Sequence, residues 1–170
     1  MRIAPLLLAL TIAVPAAAQP KKPAPPASTP ATKLGDFEDW VAAEHQESGQ
    51  KVCYAFTYAK RSTPAIAGRD KVVLTVAERQ SGRDAVAIAA GFSYAQGAAV
   101  IVQVDNTGLD FYTAQRDAFA RDGKASVAAF GKGSEALARS PGPRGEVVDS
   151  FSLKGFSAAY AAINKACPAK

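Results

Sequence analysis

The sequence predicts a mainly β, β-sandwich-like antiparallel domain with one short inserted helix and a C-terminal α-helix tied by a disulfide. Three observations lead to this prediction. Several stretches alternate apolar and polar residues with a period of two, as half-buried strands do. The last apolar run instead repeats every three or four residues, as one face of a helix does. Only two cysteines occur, one near each end of the domain.

The chain begins with the features of an export signal. Its first two residues supply a positive charge, residues 3–14 form an apolar run, and three alanines precede a predicted cut between Ala18 and Gln19. The apolar run is shorter than the roughly 20 residues that span a bilayer, and a retained N-terminal anchor is the alternative. Residues 1–18 are therefore predicted to be a signal peptide. We expect no transmembrane segment after its removal and a periplasmic or secreted protein.

Residues 19–33 contain five prolines and no large apolar side chain. Such a segment cannot bury enough surface to offset its ordering entropy, so we expect a disordered spacer. A proline-rich ligand for a partner domain is the alternative. Residues 34–170 are then one domain, long enough to bury its own core.

The basic balance of the whole chain lies mostly outside this domain. The chain has 20 Lys and Arg against 15 Asp and Glu, but four of the basic residues precede residue 34. The domain therefore has 16 basic and 15 acidic side chains, which gives a net charge of +1. These charges are interspersed and form no basic stripe, so nucleic-acid binding is not expected.

Seven or eight strands are expected from the alternation. They lie at about residues 40–45, 52–58, 71–78, 85–95, 100–104, 109–113, 135–140 and 146–153. Turn-forming residues separate several of them, notably at 80–84, 105–108 and 141–145. The pattern of residues 52–58 leaves open which of its two faces is buried.

Two helices are expected. Asp122 can cap a short helix over residues 123–130, and Gly131 suits its end. The second helix follows Gly155, and its apolar stripe ends at Cys167, before Pro168 stops propagation. The last helix therefore packs on the sheet through the face that bears the cysteine.

Cys53 and Cys167 are predicted to form a structural disulfide, because an even number of cysteines in an exported chain favours a bridge. A redox pair usually has the spacing C-x-x-C near a helix start, and these two cysteines are far apart in sequence. Free or intermolecular thiols are the remaining alternative.

No residue pattern identifies a reaction. His45 is the single histidine, and no G-x-S-x-G elbow accompanies it. The "GKGS" segment at 131–134 lacks the Ser or Thr that follows the lysine of a phosphate loop. We predict no catalytic, metal-binding or cofactor-binding residues. The aromatic residues Trp40, Tyr54, Phe56, Tyr58, Phe92 and Tyr94 could line a ligand groove, but core and cross-strand pairs are the commoner arrangement.

The segment "DSFSLKGFSAAYAAINKAC" at 149–167 resembles the C-terminal motif of the invasion-associated locus B family. A strand ending in F-S-L, a glycine–aromatic pair and an alanine-rich helix match it, at positions Phe151, Ser152, Leu153, Gly155, Phe156 and Ala159. Trp40 followed by Cys53, and the block "GFSYAQGAAVIVQVDN", are also similar to the family. The chain has fewer cysteines than many members and resembles a cysteine-poor branch.

This resemblance implies an exported protein of a Gram-negative bacterium, since the family occurs mainly in alphaproteobacteria. The family has no established catalytic residues to transfer. The function that we expect is a non-enzymatic interaction module that acts on a protein or cell-surface partner. A hydrolase of envelope polymers and a small-ligand carrier of the periplasm are the alternatives.

Overall fold

The computed structural model describes residues 29–169, and the predicted signal peptide, its cut and most of the 19–33 spacer lie outside them. Two helices and eleven strands occur in this part of the chain. The strands are β1 (Thr32–Phe37), β2 (Trp40–Glu47), β3 (Gln50–Tyr58), β4 (Arg61–Thr63), β5 (Val73–Arg79), β6 (Gly82–Ala89), β7 (Ala99–Val104), β8 (Thr107–Ala114), β9 (Asp117–Ala120), β10 (Glu135–Gly142) and β11 (Gly145–Ser152). The helices are α1 (Gly123–Phe130) and α2 (Phe156–Ala166). The predicted mainly β architecture with two helices is confirmed.

All eleven strands belong to one antiparallel sheet, in the order β1-β2-β3-β5-β6-β9-β8-β7-β10-β11-β4. The strand at one edge of this sheet, β4, follows β3 directly in the chain yet pairs with β11. Close to this return, the Lys60 N–H donates to the Ser150 carbonyl at 2.8 Å. The indole N–H of Trp40 donates to the Ser152 carbonyl at 3.0 Å. The sheet therefore curls until its two ends meet around the core.

The inner face of the curled sheet holds the apolar core. On β3 the inward residues are Cys53, Ala55 and Thr57, each at most 1% exposed. This answers the question that the sequence pattern left open, because the small residues of β3 face inward and its aromatic residues face outward. Large side chains from elsewhere fill the space above them, including Leu74, Phe111 and Phe151.

Three short or irregular strands extend the sheet beyond the seven or eight expected. β1 begins at Thr32, inside the predicted spacer, and contains a register shift at Gly35. β4 has three residues and β9 has four. Segments this short have too few positions to show an alternating pattern, and only their sheet partners define them. The strand predicted over 85–95 ends at Ala89 instead, because Gly91 has a left-handed backbone at φ 74°.

The inserted helix α1 has the predicted bounds and the predicted cap. The Asp122 side chain accepts a hydrogen bond from the backbone N–H of Ala125 at 2.8 Å, and Gly131 is the C-terminal cap. Its buried residues are Ser126 and Phe130, and Phe130 inserts into the core.

Replacing Asp122 with alanine should lower the free energy of unfolding by about 1 kcal/mol, because it leaves the Ala125 N–H in the first turn of α1 without its side-chain acceptor. Urea denaturation of the two proteins measures this change. An Asp110→Ala variant, which removes a carboxylate from an exposed strand position without a cap, should be close to neutral. Equal effects of the two substitutions would contradict the capping role.

Helix α2 packs on the inner side of β1, β2 and β3. Phe156, Ala159 and Ile163 are its buried residues, as the spacing predicts. Cys167 caps its C-terminus and forms a disulfide with Cys53 of β3, with the two Cα atoms 5.9 Å apart. The predicted bridge between the last helix and an early strand is therefore confirmed.

A buried ion pair joins the loop after β4 to strand β11. The two Nη atoms of Arg69 each donate to the Asp149 carboxylate at 2.8 Å, and the Ser62 hydroxyl donates to the same carboxylate at 2.6 Å. The two charged side chains are 5% and 1% exposed. Arg69 also stacks over the Phe92 ring, 4.8 Å from its centroid. These contacts fix the loop between β4 and β5 against β11.

No helix among residues 29–169 is long and apolar enough to cross a membrane.

Candidate functional site

The residues that carry the family resemblance converge on one packing centre below α2. Trp40, Phe151, Leu153, Phe156 and Ala159 belong to a single buried cluster. The Phe156 ring meets Trp40 edge to face at 4.9 Å between centroids. It also meets Phe130 of α1, at 5.6 Å. This position explains why the motif is structural, since all of these side chains are inaccessible to a ligand.

Gly155 completes the packing centre through its backbone. It has φ 84°, a left-handed conformation, and a Cβ atom at this position would overlap the carbonyl oxygen of Phe37 in β1. Only glycine fits such an approach. The glycine of the motif therefore lets the chain turn from β11 into α2 while touching β1.

The single histidine and the "GKGS" segment lie on separate parts of the fold. His45 lies on β2, and its ring packs edge to face on Tyr54 at 5.4 Å. The "GKGS" segment follows the end of α1 and leads into β10. Within residues 29–169 no three or more His, Cys, Asp or Glu side chains are grouped closely enough to hold a metal ion.

The outer face of the sheet gathers apolar side chains in the part of the chain that the structure describes. The strand registers place one residue from each of seven neighbouring strands in a continuous row. In sheet order the row is Val41, Phe56, Thr75, Ala87, Phe119, Tyr112 and Ala99. Small residues lie in the middle of the row and aromatic rings lie on both sides of them. We call this row and its aromatic neighbours Tyr54 and Tyr58 the aromatic outer face.

The first wall of the aromatic outer face is a ladder of three rings on β3. Tyr54, Phe56 and Tyr58 alternate with the buried residues of that strand, so all three point away from the core. Successive ring centroids are 6.0 and 5.7 Å apart. Tyr58 is 46% exposed, which leaves an unusually accessible aromatic side chain at the end of the ladder.

The second wall is formed by Tyr112 of β8 and Phe119 of β9, which stack with centroids 5.5 Å apart. Tyr112 is 44% exposed. Ala87 of β6 separates the two walls, because it pairs with Phe119 on one side and with Thr75 on the other. The two smaller residues Thr75 and Ala87 therefore lie side by side between the aromatic walls.

Cations lie at both ends of the aromatic outer face. The Lys71 Nζ atom is 4.9 Å from the Tyr58 ring centroid, and the Arg121 guanidinium carbon is 5.6 Å from that of Tyr112. Among residues 29–169 neither cation forms an ion pair with an acidic side chain. Each is thus available to a negative group brought by another molecule while its ring holds it in place.

A depression of about 520 Å³ continues the aromatic outer face beyond Ala99. Ala99, Ile101, Pro141 and Gly142 provide its apolar lining, and Arg139 and Glu146 stand at its rim. Ile101 is 40% exposed. The depression is wide enough for an apolar side chain of a partner.

The sequence pattern indicated the first aromatic wall of this surface but not the second. The alternation of residues 52–58 identified the three aromatic rings as one face, but pattern alone could not show that this face is external. Phe119 and Tyr112 were not predicted as partners, because only the sheet order brings β8 and β9 next to β6. Of the other aromatic residues considered for a groove, Trp40 is fully buried, and Phe92 and Tyr94 contact each other away from the ladder.

Two comparisons relate the chain to known proteins. The model of the family described as invasion associated locus B (IalB) protein matches residues 40–164. The crystal structure of invasion associated protein B from Bartonella henselae is similar to this fold, with a TM-score of 0.53 and 16% identical residues. The similarity covers 79% of this chain and 97% of that one. At this identity the likeness concerns the fold alone. No curated protein matches the chain.

Proposed function

Because the chain belongs to the invasion associated locus B (IalB) family, whose model spans residues 40–164, we propose that it is an exported envelope protein that binds a protein partner at the cell surface or in the periplasm. In this proposal it acts without catalysing a reaction. The signal peptide of residues 1–18 is removed, the proline-rich segment before β1 serves as a spacer, and the domain that begins with β1 at Thr32 binds.

The observation that carries this proposal is the aromatic outer face. Exposed tyrosines are favourable binding residues because they offer a large contact area at a small cost in side-chain entropy. Tyr58, Tyr112 and Ile101 are the exposed large hydrophobic residues of the described chain, and all three lie on this face or in the adjoining depression. Such grouping is typical of an interaction surface rather than of scattered surface residues.

The charges around the face support a partner of particular chemistry. Lys71 and Arg121 lie over aromatic rings at the two ends, without acidic partners of their own among residues 29–169. A protein segment with apolar side chains between acidic groups would complement this arrangement. One of its apolar side chains would fill the depression beside Ile101, in the manner of an interface anchor.

The test compares the mature wild-type chain with a Tyr58→Ser/Tyr112→Ser variant. Proteins captured from the envelope fraction of the source bacterium are first purified, and their affinities are then measured by isothermal titration. Truncation of each binding tyrosine at an interface costs about 1–2 kcal/mol, so the loss of both should amount to about 2–4 kcal/mol and weaken binding at least tenfold. Because both side chains are about half exposed, the variant should retain its circular dichroism spectrum and its stability.

A Lys124→Ser/Lys132→Ser variant is the matched control, since both lysines are exposed at the two ends of α1. It should bind like the wild type. A partner that binds the tyrosine variant at unchanged affinity would contradict the proposed surface. Release of soluble fragments from envelope polymers would favour the hydrolase, and tight binding of a small envelope metabolite would favour the carrier.

A further inference from the structure

The Cys53–Cys167 disulfide is asymmetric in its access to solvent. Cys53 is fully buried on the inner face of β3. Cys167 lies at the end of α2, is partly exposed, and lines a pocket of about 170 Å³ together with Lys51, Gln80 and Arg83. The pocket therefore gives an incoming thiol a route to Cys167, whereas Cys53 is closed to solvent.

A buried carboxyl group stands next to the inaccessible sulfur. Glu78 of β5 is the direct cross-strand partner of Cys53, so the two side chains lie on the same inner face. Glu78 is 0% exposed, and its Oε1 atom has no hydrogen-bond partner among the described residues. A buried polar atom without a partner calls for a physical explanation, because leaving it unpaired is costly.

The other carboxylate oxygen of Glu78 is held by neighbours on β6. Arg83 Nε contacts Oε2 at 2.7 Å, and the backbone N–H of Asp84 donates to the same oxygen at 3.3 Å. The Arg83 guanidinium also donates to the Cys167 carbonyl at 2.6 Å. One arginine thus joins the carboxyl group of Glu78 to the end of α2 that bears the disulfide.

We propose that this disulfide is a thiol–disulfide exchange site, in which a dithiol reductant attacks Cys167 and Glu78 donates a proton to the departing sulfur of Cys53. In the first step the reductant thiolate forms a bond to Cys167 Sγ, and the bond between the two cysteine sulfurs breaks. The electron pair goes to Cys53 Sγ, which takes the proton from the Glu78 carboxyl group. In the second step the other thiolate of the reductant attacks the reductant sulfur that is bonded to Cys167 in the mixed disulfide. This oxidises the reductant to a cyclic disulfide and releases Cys167 as a thiolate, which is protonated by water.

The surroundings suit each partner of this exchange. Lys51 and Arg83 line the pocket, and while Glu78 is protonated the Arg83 guanidinium has no ionised partner among the described residues, which favours the approach of a thiolate. A thiolate leaving into the buried side of the bridge needs a proton, because an isolated charge in an apolar environment is strongly disfavoured. Exchange is faster when the leaving sulfur is stabilised in this way. Glu78 faces the same side of the sheet as Cys53, and its oxygen without a hydrogen-bond partner would supply that proton.

The protonation state of Glu78 gives the exchange a pH dependence. Burial raises the pKa of Glu78 to about 7, although the Arg83 guanidinium and the Asp84 N–H both favour the ionised form. The other charged or titratable groups around it are Glu44 and Lys51, which pair with each other at 2.8 Å, and Asp84, which accepts a hydrogen bond from Tyr160 of α2. Glu78 is thus mostly protonated below pH 7, and able to donate, and mostly ionised above it.

The experiment measures the reduction of the oxidised full-length mature chain by dithiothreitol between pH 5.5 and 9, with each rate divided by the concentration of dithiothreitol thiolate. For the wild type the normalised rate should be constant below pH 7 and fall above it. A Glu78→Gln variant keeps the shape of the side chain but has no acidic proton. We expect its normalised rate to be about 10²-fold lower below pH 7, the usual size of general acid catalysis, and flat with pH.

An Arg83→Gln variant is the second test. It breaks the same ion pair but keeps the carboxyl group, so exchange should continue more slowly, because the pocket loses a positive charge, and the break in the pH profile should move upward. If Glu78 had only a structural role, Arg83→Gln would not change the pH at which the normalised rate begins to fall. If Glu78→Gln fails to fold, the shift seen in Arg83→Gln still decides the question. An unshifted break in Arg83→Gln, or a wild-type break retained in Glu78→Gln, would overturn the proposal.

The site of attack is checked independently with glutathione, a monothiol that can be trapped as a mixed disulfide. Peptide mapping by mass spectrometry should place glutathione on Cys167. Attachment to Cys53 would overturn the proposed direction of attack. A reduction rate that becomes independent of dithiothreitol concentration would mean that the bridge reacts only after unfolding, which would also overturn the proposal.

Discussion

Replacing Asp149 with alanine should lower the free energy of unfolding by about 3–5 kcal/mol, the usual cost of removing one partner from a buried ion pair. The reason is that Arg69 would keep its charge while losing both of its carboxylate contacts, at a position where its side chain is only 5% exposed. The Ser62 hydroxyl would lose its acceptor as well. Urea denaturation, followed by circular dichroism, measures the change.

Two further variants separate the cost of an unpaired charge from the worth of the pair. An Arg69→Met/Asp149→Leu double variant should recover much of the lost stability, because it leaves no charge behind in the core. A Glu146→Ala variant removes one partner of the exposed Arg139–Glu146 pair and should cost less than about 1 kcal/mol. A double variant as unstable as Asp149→Ala would show that the pair itself, and not the uncompensated charge, is what the fold needs.

Replacing Gly155 with alanine should lower the free energy of unfolding by about 3 kcal/mol or more. About 1–2 kcal/mol of this is the cost of a left-handed backbone in a residue with a Cβ atom. The rest is the displacement of β1, because the new methyl group would overlap the carbonyl oxygen of Phe37. Denaturant unfolding of the variant gives the total.

Gly97 offers a control with the same backbone conformation and none of the crowding. Its φ is 75°, and a Cβ atom there would have nothing within 4 Å. Gly97→Ala should therefore lose only the conformational share of about 1–2 kcal/mol. Equal losses at the two glycines would contradict the role assigned to the contact between Gly155 and β1.

The parts of this fold that depend on local pattern could be predicted from the sequence. The bounds of α1 follow from Asp122 and Gly131, and the buried stripe of α2 follows from the spacing of Phe156, Ala159 and Ile163. The disulfide follows from the number of cysteines and the predicted compartment. In each case a few neighbouring residues, or a simple count, contain the whole signal.

The parts that depend on distant pairing could not be predicted. β9 becomes a strand because β6 and β8 lie on either side of it. The outward direction of the β3 rings depends on which face the curled sheet encloses, and both faces of β3 are apolar enough to be buried. Arg69 gave no sign of burial in the sequence, because its partner Asp149 is eighty positions away. The aromatic outer face and the exchange site both arise from such pairings.

The return of β4 to β11 also determines when the domain can be completed during synthesis. A growing chain that has made β4 still lacks β11, and Trp40 has neither Phe156 nor the carbonyl of Ser152 to contact. The core stays open until residues 145–167 are available, and folds built on such non-local pairings form slowly. Because the segment that closes the core comes late in the chain, we expect the domain to stay unfolded while it is being made. This property suits passage through a translocation channel before folding, as the proposed export requires.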